Sequence, residues 1–403
     1  MQAEVKTLRG TYRESRIHAV GLVLACSVFV TLIVGVGIWT PDAQESELEK
    51  RRLQTLPTVP TTFLSIPRFV NQVERYSVDQ AGFRNQMIQW QRRLKFHLFG
   101  ILDAERCFLG KDQWLFWNRT DTRYSHQDVI SGNWDAKKET TLWISYLKEL
   151  ADWLDSRSVP LVLAFVPNKY SIYPDKLPDW LPYDPEAIPY RQITNALEGY
   201  PNVHIVELMD PLIEAKEWSQ LYSPSDLHWN GRGAYIGFTT MANAIHDLFP
   251  EMRVPTLDEF VLTSEVLDDP TFEKPTDGLS RMTGMPDVFP NTWLGVKPKR
   301  PHAAEVDTTH LPQSDANIPV RMPIAFESDS ASGPSILYIG DSFRWPVVPF
   351  FAESVPRSLF VDARNALFDR QLIESEKPDL VIFSTHGWFM RNDVFEKLSA
   401  ELK

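Results

Sequence analysis

Residues 336–343 read Ile-Leu-Tyr-Ile-Gly-Asp-Ser-Phe, an apolar run that ends abruptly in small and polar residues. An unbroken apolar run of this kind is typical of a buried strand in a parallel sheet. Gly340 permits a tight turn directly after the run. Ser342 then falls at a strand-to-helix turn, where its hydroxyl is exposed and backbone N–H groups can bind an oxyanion. A serine at this place can also serve only as a helix cap, and the run alone leaves both interpretations open.

Strands and helices alternate along the chain on both sides of this run. Apolar runs predict strands at 161–166, 203–206, 335–339, 358–361 and 380–384. Helical spacing of apolar residues predicts helices at 69–76, 83–98, 140–154, 231–249 and 388–402. Because strands that alternate with helices form a parallel sheet covered on both faces, we predict a three-layer α/β fold. Residues 251–333, rich in Pro, Asp, Thr and Ser, are expected to form an insert with little regular structure.

The N-terminal part of the chain carries a membrane signal. Residues 19–39 are apolar and uncharged, which is long enough for a helix that crosses a bilayer. Basic side chains precede this stretch and acidic ones follow it, so the positive-inside rule places residues 1–18 in the cytoplasm. A cleaved signal peptide is the alternative, but no Ala-x-Ala site precedes Pro41. We predict a transmembrane helix at 19–39, a tether at 40–66 and a folded domain at 67–403 outside the cytoplasm.

The charge and the cysteines exclude several classes of site. The chain of 403 residues has 41 Lys and Arg against 53 Asp and Glu, a net charge of −12. Binding to nucleic acid needs a basic footprint, so no such partner is expected. Cys26 lies in the predicted span and Cys107 is the other cysteine, so the folded domain has neither a disulfide nor a Cys-rich zinc site. We expect no cofactor and no metal.

A second polar motif, Asp226-Leu227-His228-Trp229, precedes the helix predicted at 231–249. Residues two apart in an extended loop project to the same side, so Asp226 can fix the tautomer of His228 and stabilise its charged form. A solvated loop histidine and a pair of metal ligands are the alternatives, although no third ligand stands nearby. Taken together with Ser342 at another end of the same sheet, the motif favours acyl transfer through a serine ester.

Five other residues at predicted strand ends are candidates for binding substrate or an oxyanion. Asn168 and Lys169 follow the strand at 161–166, and Asn168 can donate to an oxyanion or be a plain turn residue. Gly340 and Arg344 flank the serine, and Arg344 can bind substrate or pair with a surface carboxylate. His386 follows the last strand and competes as the base, but it lacks an aspartate close in sequence. Substrate binding or packing is the alternative role for His386.

The shared order of these motifs resembles the alginate O-acetyltransferase group of SGNH-hydrolase-like proteins, the AlgJ/AlgX-related family. Besides the two polar motifs, the similar segments are Asp79-Gln80-Ala81-Gly82-Phe83-Arg84-Asn85, Gly110-Lys111-Asp112-Gln113-Trp114-Leu115-Phe116, Val166-Pro167-Asn168-Lys169, Ile172-Tyr173-Pro174 and Gly278-Leu279-Ser280-Arg281-Met282. Two departures stand out. Gln113 replaces the usual turn glycine, and the final strand runs into Thr385-His386-Gly387-Trp388 where the family has an acidic ending.

The resemblance implies a fold, a set of catalytic residues and a partner. The fold is a three-layer SGNH-hydrolase-like domain with a parallel sheet, preceded here by one N-terminal transmembrane helix. The catalytic residues are Ser342, His228 and Asp226. A membrane-bound O-acyltransferase supplies acetyl groups, and the domain transfers them to polysaccharide hydroxyls in the periplasm, anchored at the bacterial inner membrane. An acetylesterase acting on the same polymer and a non-catalytic polysaccharide-binding or scaffold subunit are the alternatives.

Overall fold

A computed structural model describes most of the chain. The described residues are 45–46, 51–60, 62–80, 84–118, 125–135, 137–188, 190–266, 278–290, 292–311, 323–363 and 369–386. No helix among them is both long and apolar enough to cross a membrane. The predicted transmembrane helix at 19–39, the tail before it and the predicted helix at 388–402 lie outside the described residues.

The chain divides into two compact units. The first contains the residues up to Asp103 together with Arg281–Met285. Its strands β1 (Glu45–Ser46) and β2 (Arg51–Arg52) pair antiparallel, a 3-10 turn spans Phe63–Ser65, and helices span Ile66–Asp79 and Arg84–Phe99. The sequence predicts both helices but assigns them to the domain that starts at residue 67. The division instead follows Asp103, and none of the side chains described in Ile66–Asp79 is buried.

The second unit contains Ala104–Ser280 and Pro286–Lys403. Its described strands, in chain order, are β3 (Cys107–Leu109), β4 (Leu115–Trp117), β5 (Leu161–Leu163), β6 (Val203–Ile205), β7 (Phe260–Val266), β8 (Thr292–Pro298), β9 (Ala304–Val306), β10 (Ile324–Glu327), β11 (Ile336–Gly340), β12 (Arg357–Asp362) and β13 (Leu380–Ser384). Its described helices are His126–Ile130, Lys137–Asp155, Lys169–Ile172, Arg191–Leu197, Met209–Ala215, Gly231–Leu248, Val348–Ala352 and Arg370–Glu376. A further helix, Leu279–Thr283, has its first two residues in this unit and the others in the first unit. Short 3-10 helices span Lys111–Gln113, Pro174–Lys176, Leu257–Glu259 and Ser342–Val347.

The described part of this unit is built on a seven-stranded sheet with the order β6-β5-β13-β11-β12-β10-β9. The five strands from β6 to β12 run parallel, and β10 pairs antiparallel with both β12 and β9. Every residue of β5, β11 and β13 is buried, which is why these strands are continuous apolar runs in the sequence. The prediction of an α/β domain with a mostly parallel sheet is therefore confirmed.

Helices cover both faces of the sheet. Phe383 of β13 lies 5.8 Å, between ring centroids, from Trp143 of helix Lys137–Asp155. Tyr338 of β11 lies 5.7 Å from Phe351, which in turn lies 5.0 Å from Phe238 of helix Gly231–Leu248. Tyr338 is in register with Ile382, the neighbour of Phe383, and successive residues of a strand face opposite sides. The two sets of helices thus pack on opposite faces, which gives the three layers.

The structure corrects the expectation of little regular structure in residues 251–333. β7 and β8 pair antiparallel, Leu279–Thr283 is helical, and β9 and β10 extend the main sheet. The two edge strands lack the apolar runs that mark buried strands. Ala304 and Glu305 of β9 are exposed, and of β10 only Ala325 is buried. Pairing with the buried strand β12 orders them, and a single sequence does not reveal that pairing.

Candidate active site

Three predicted side chains from distant parts of the chain meet beyond the carboxyl end of β11. The imidazole Nε2 of His228 lies 2.9 Å from Ser342 Oγ. The Nδ1 atom of the same ring lies 2.8 Å from Asp226 Oδ1. An ionised carboxylate only accepts hydrogen bonds, so we assign the ring proton to Nδ1. The lone pair on Nε2 then faces the serine, and the three groups form one continuous hydrogen-bonded chain.

The predicted turn at Ser342 is present as the start of the 3-10 helix Ser342–Val347. Asp341 caps this helix, because its Oδ1 accepts the Phe343 backbone N–H at 2.9 Å. Ser342 is partly exposed between the buried residues Asp341 and Phe343. The cap therefore fixes the turn while the serine hydroxyl stays accessible.

Gly340 has a packing role at the end of β11. A Cβ at this position would lie 2.7 Å from Tyr338 Cε1 and 2.8 Å from the Ser384 carbonyl oxygen. Both distances are too short for a carbon atom. A side chain would thus push β11 away from β13 directly beneath the serine, so the glycine keeps the turn close to its neighbouring strand.

The loop that bears Asp226 and His228 is tied to the serine turn. Trp229 is fully buried, and its indole N–H donates to the Phe343 carbonyl oxygen at 2.9 Å. Asn230 caps helix Gly231–Leu248, with its side-chain oxygen accepting the N–H of Arg232 at 2.9 Å. The His228 backbone N–H donates to Asp226 Oδ1 at 2.9 Å, which fixes the carboxylate relative to the ring. The two polar motifs therefore form one packed assembly.

Asp226 is ionised although it is completely buried. Burial on its own raises the pKa of a carboxyl group. The opposing effects of His228, through charge and two hydrogen bonds, and of the Lys169 ammonium bring the pKa of Asp226 below its ordinary value. The site thus keeps a negative charge next to the imidazole.

The candidates Asn168 and Lys169 are buried at the start of helix Lys169–Ile172. The Asn168 amide donates to the Tyr170 hydroxyl at 3.1 Å. The Lys169 ammonium donates to the backbone carbonyl oxygens of Ser223, Pro224 and Asp226. The structure therefore corrects the prediction for Lys169, because this ammonium is engaged by the protein's own backbone and does not face a substrate.

The structure also corrects the prediction for Arg344. Its side chain is fully buried, and Nη1 donates to the Asp341 carbonyl oxygen at 3.0 Å and to Asp362 Oδ2 at 3.4 Å. The guanidinium also lies over the Trp345 ring, 4.7 Å from its centroid. A guanidinium without exposed surface is unable to bind substrate or a surface carboxylate. Arg344 instead supports the serine turn from its buried side.

His386 has a carboxylate partner that the sequence analysis missed. Asp341 Oδ2 accepts the His386 backbone N–H at 2.9 Å and makes a short contact with the ring Nδ1. The ring of Phe343 lies between the two imidazoles, with its centroid 4.7 Å from that of His228 and 4.9 Å from that of His386. His228, and not His386, contacts the serine. His386 and Asp341 form a second pair behind the turn.

This second pair predicts a specific response to acid. Burial acts to raise the pKa of Asp341, but His386 and the hydrogen bonds it donates hold that pKa at about 2, below the ordinary 3.8. A carboxyl group whose pKa is lowered in the folded state stabilises the fold at pH values above its ordinary pKa. That contribution is lost as the pH falls toward 2. We expect the stability advantage of the wild type over Asp341→Asn to shrink by about 2 kcal/mol between pH 6 and pH 2. Urea unfolding of both proteins across this range measures it, and a constant difference would contradict the assignment.

Each of the two imidazoles, His228 and His386, is thus paired with its own carboxylate. Among the described residues, no group of three His, Cys, Asp or Glu side chains is arranged to hold a metal ion. Asp226 and His228, the pair considered as metal ligands from sequence, contact each other and Ser342. The arrangement can remove a proton from a serine hydroxyl and stabilise the resulting imidazolium, which is the chemistry of a serine nucleophile.

Comparison with known proteins finds similar sequences over much of the chain. Residues 107–267 match the family model described as SGNH hydrolase-like domain, acetyltransferase AlgX. A probable alginate O-acetylase AlgJ of Pseudomonas syringae is 24% identical over 66% of this chain and 63% of its own length. The protein of the same name from Pseudomonas putida is 28% identical over 73% of this chain and 71% of its own length. Over these residues the chain is similar to proteins of the AlgJ/AlgX-related family.

The similarity covers different parts of the site unequally. The match to the family model includes Asp226 and His228 and ends before Ser342. The match to the first relative spans less than two thirds of that protein. Among solved structures, the O-acetyltransferase domain of Pseudomonas putida AlgJ is 16% identical, covers 73% of this chain and 99% of that domain, and has a TM-score of 0.47.

Proposed function

We propose that this chain is an O-acetyltransferase that transfers acetyl groups through an ester on Ser342 to hydroxyls of a polysaccharide. The observation that carries the proposal is the hydrogen-bonded chain from Ser342 through His228 to Asp226, with contacts of 2.9 and 2.8 Å. The relatives' names, probable alginate O-acetylase, support both the acetyl group and the polysaccharide acceptor.

The reaction takes place in two steps that share one base. In the first, His228 Nε2 takes the proton of Ser342 as Oγ attacks the carbonyl carbon of the acetyl donor. The donor's leaving group departs with that proton, and an acetyl ester remains on Ser342. In the second, a sugar hydroxyl gives its proton to His228 and attacks the ester. The acetyl group moves to the sugar, and Ser342 regains its proton.

Asp226 and nearby N–H groups stabilise the charges that develop during each step. The Asp226 carboxylate holds the ring proton on Nδ1 and stabilises the imidazolium. The backbone N–H groups at the Ser342 turn and the Asn168 amide are candidate donors to the oxyanion. Removal of one such donor typically lowers kcat by about 10²- to 10³-fold.

The setting of the reaction follows from the N-terminal sequence. An anchor at 19–39 with basic residues before it would hold the folded domain on the periplasmic side of the inner membrane. A polysaccharide at this location has no access to cytoplasmic acetyl donors. A membrane-bound O-acyltransferase that passes acetyl groups across the membrane is therefore the partner we propose.

An acetylesterase that acts on the same polymer would use the same three residues, because water can replace the sugar hydroxyl in the second step. The degree of polymer acetylation in cells with and without the gene separates the two activities. A transferase predicts loss of acetyl groups from the polymer when the gene is deleted, and an esterase predicts gain. Complementation with Ser342→Ala tests the scaffold alternative, since a non-catalytic subunit would restore normal acetylation and the proposed enzyme would not.

A further inference from the structure

Lys169 occupies a buried cage beside the loop that bears Asp226. Lysine side chains are rarely buried in folded proteins, but Lys169 is only 5% exposed. The Nζ atom donates to three carbonyl oxygens, those of Ser223 at 3.2 Å, Pro224 at 3.0 Å and Asp226 at 2.6 Å. The rings of Trp114 and Phe116 lie 5.5 and 5.2 Å from Nζ. An ammonium group has three N–H donors, and each of them has an acceptor here.

The segment held by this ammonium, residues 223–226, belongs to no helix or strand. It is also tied by the Leu115 N–H to the Pro224 carbonyl at 2.8 Å, and by the Ser280 N–H to the Ser225 carbonyl at 3.2 Å. Of these ties, only Lys169 reaches Asp226, the residue that supplies the carboxylate. A small shift of the Asp226 backbone would break its 2.8 Å contact with the imidazole of His228.

We propose that Lys169 is a positioning residue whose ammonium form holds Asp226 in place and thereby orients His228 toward Ser342. The inference rests on the proposed function, because it concerns the same site. A neutral amine has two N–H donors and is unable to satisfy three carbonyl oxygens. Loss of the proton therefore frees one carbonyl of the loop and removes the charge that strengthens the other two bonds.

The burial of Lys169 also sets the pH at which its ammonium loses a proton. Burial lowers the pKa of Lys169 to about 7, against the opposing effects of the Asp226 carboxylate and the Cys107 thiol. Those two groups, the two aromatic rings and the three carbonyl oxygens surround the ammonium. The three hydrogen bonds from the ammonium are therefore complete below about pH 7 and weaken as the pH rises above it. Activity should therefore decline on this alkaline side.

The test compares pH–rate profiles of the full chain with an activated acetyl ester as substrate. Lys169→Met keeps an apolar stem of similar length and removes all three donors. We expect its kcat to fall by about 10- to 100-fold with little change in KM, since misplacement of a catalytic group acts mainly on the chemical step. Lys169→Arg keeps its charge at all pH values used, so it should retain more activity and lose the alkaline decline.

Lys216→Met is the matched control. The Lys216 ammonium also donates to a backbone carbonyl, that of Ile172 at 2.6 Å, and it lies over the Tyr173 ring. Neither contact involves the loop that bears Asp226 and His228. We expect its pH profile to keep the wild-type shape. Thermal unfolding of each variant checks that it is folded.

Two results would overturn the inference. One is wild-type kcat in folded Lys169→Met, and the other is an alkaline decline in Lys169→Arg at the same pH as in the wild type. If Lys169→Met does not fold, the profile of Lys169→Arg decides alone. Failure of the proposed function has a different signature, because Ser342→Ala would then remain active whatever the Lys169 variants do.

Discussion

Ser342→Ala is expected to lower kcat/KM for an activated acetyl ester by on the order of 10⁴- to 10⁶-fold. The serine Oγ lies 2.9 Å from His228 Nε2, within hydrogen-bond distance of the base. Without the nucleophile, the remaining groups stabilise only attack by water, which is far slower. Initial rates at saturating and at low substrate measure the loss for the full chain.

Ser332→Ala provides the control for this change. The Ser332 hydroxyl is exposed and donates to the Glu251 carbonyl oxygen at 2.8 Å, a bond that involves none of the residues of the site. We expect full activity from this variant. Turnover by Ser342→Ala within a few-fold of the wild-type rate would reject Ser342 as the nucleophile.

Asp226→Asn is expected to lower kcat by about 10⁴-fold with little effect on KM. The buried carboxylate holds the ring proton on Nδ1 and stabilises the imidazolium, and an amide of the same shape supplies neither effect reliably. The substitution preserves the volume of the side chain, so the loss reports on charge and tautomer more than on packing. Single-turnover rates of Ser342 acylation measure it directly.

Asp307→Asn is the matched control for the second change. The Asp307 carboxylate accepts the backbone N–H of the residue two positions later, Thr309, at 2.9 Å, as Asp226 does with His228. Asp307 is exposed and faces no imidazole of the site, so its replacement should leave acylation unchanged. Wild-type acylation in Asp226→Asn would mean that His228 does not depend on this carboxylate.

The sequence is sufficient to predict the central part of the site because each half is local. Asp226 and His228 are two residues apart, and the loop geometry that joins them needs no long-range contact. Ser342 follows a buried run, and a strand-to-helix turn is visible from the pattern alone. The rule that parallel strands present their carboxyl ends at one edge places Ser342 at that edge. Asp226 and His228 lie in a loop between two helices, and long-range contacts such as that of Trp229 with Phe343 hold this loop beside the serine.

The supporting groups could not be predicted in the same way, because their partners are distant in sequence. His386 seemed to lack a carboxylate, but β11 and β13 are neighbours with Gly340 opposite Ser384, which places Asp341 and His386 just beyond adjacent strand ends. Charge suggested substrate contacts for Lys169 and Arg344. Both side chains are buried in the structure and do not face a substrate. Their burial depends on how the whole sheet packs.

The edge of the sheet shows the same limit for the fold. β9 and β10 lie outside the five parallel strands and carry few buried residues, so their sequences resemble those of loops. Patterns of hydrophobicity detect strands that are buried on both faces. A strand ordered mainly by backbone pairing with one neighbour leaves little trace in its own residues.

Mass spectrometry of the acetylated enzyme tests the central claim most directly. The full chain is exposed to an activated acetyl donor, quenched in acid within the first turnover, digested and analysed for the peptide that contains Ser342. We predict one added acetyl group on Ser342 in the wild type and none at that position in Ser342→Ala or, on the same time scale, in Asp226→Asn. Donor consumption at the wild-type rate with an unmodified Ser342 would contradict the account.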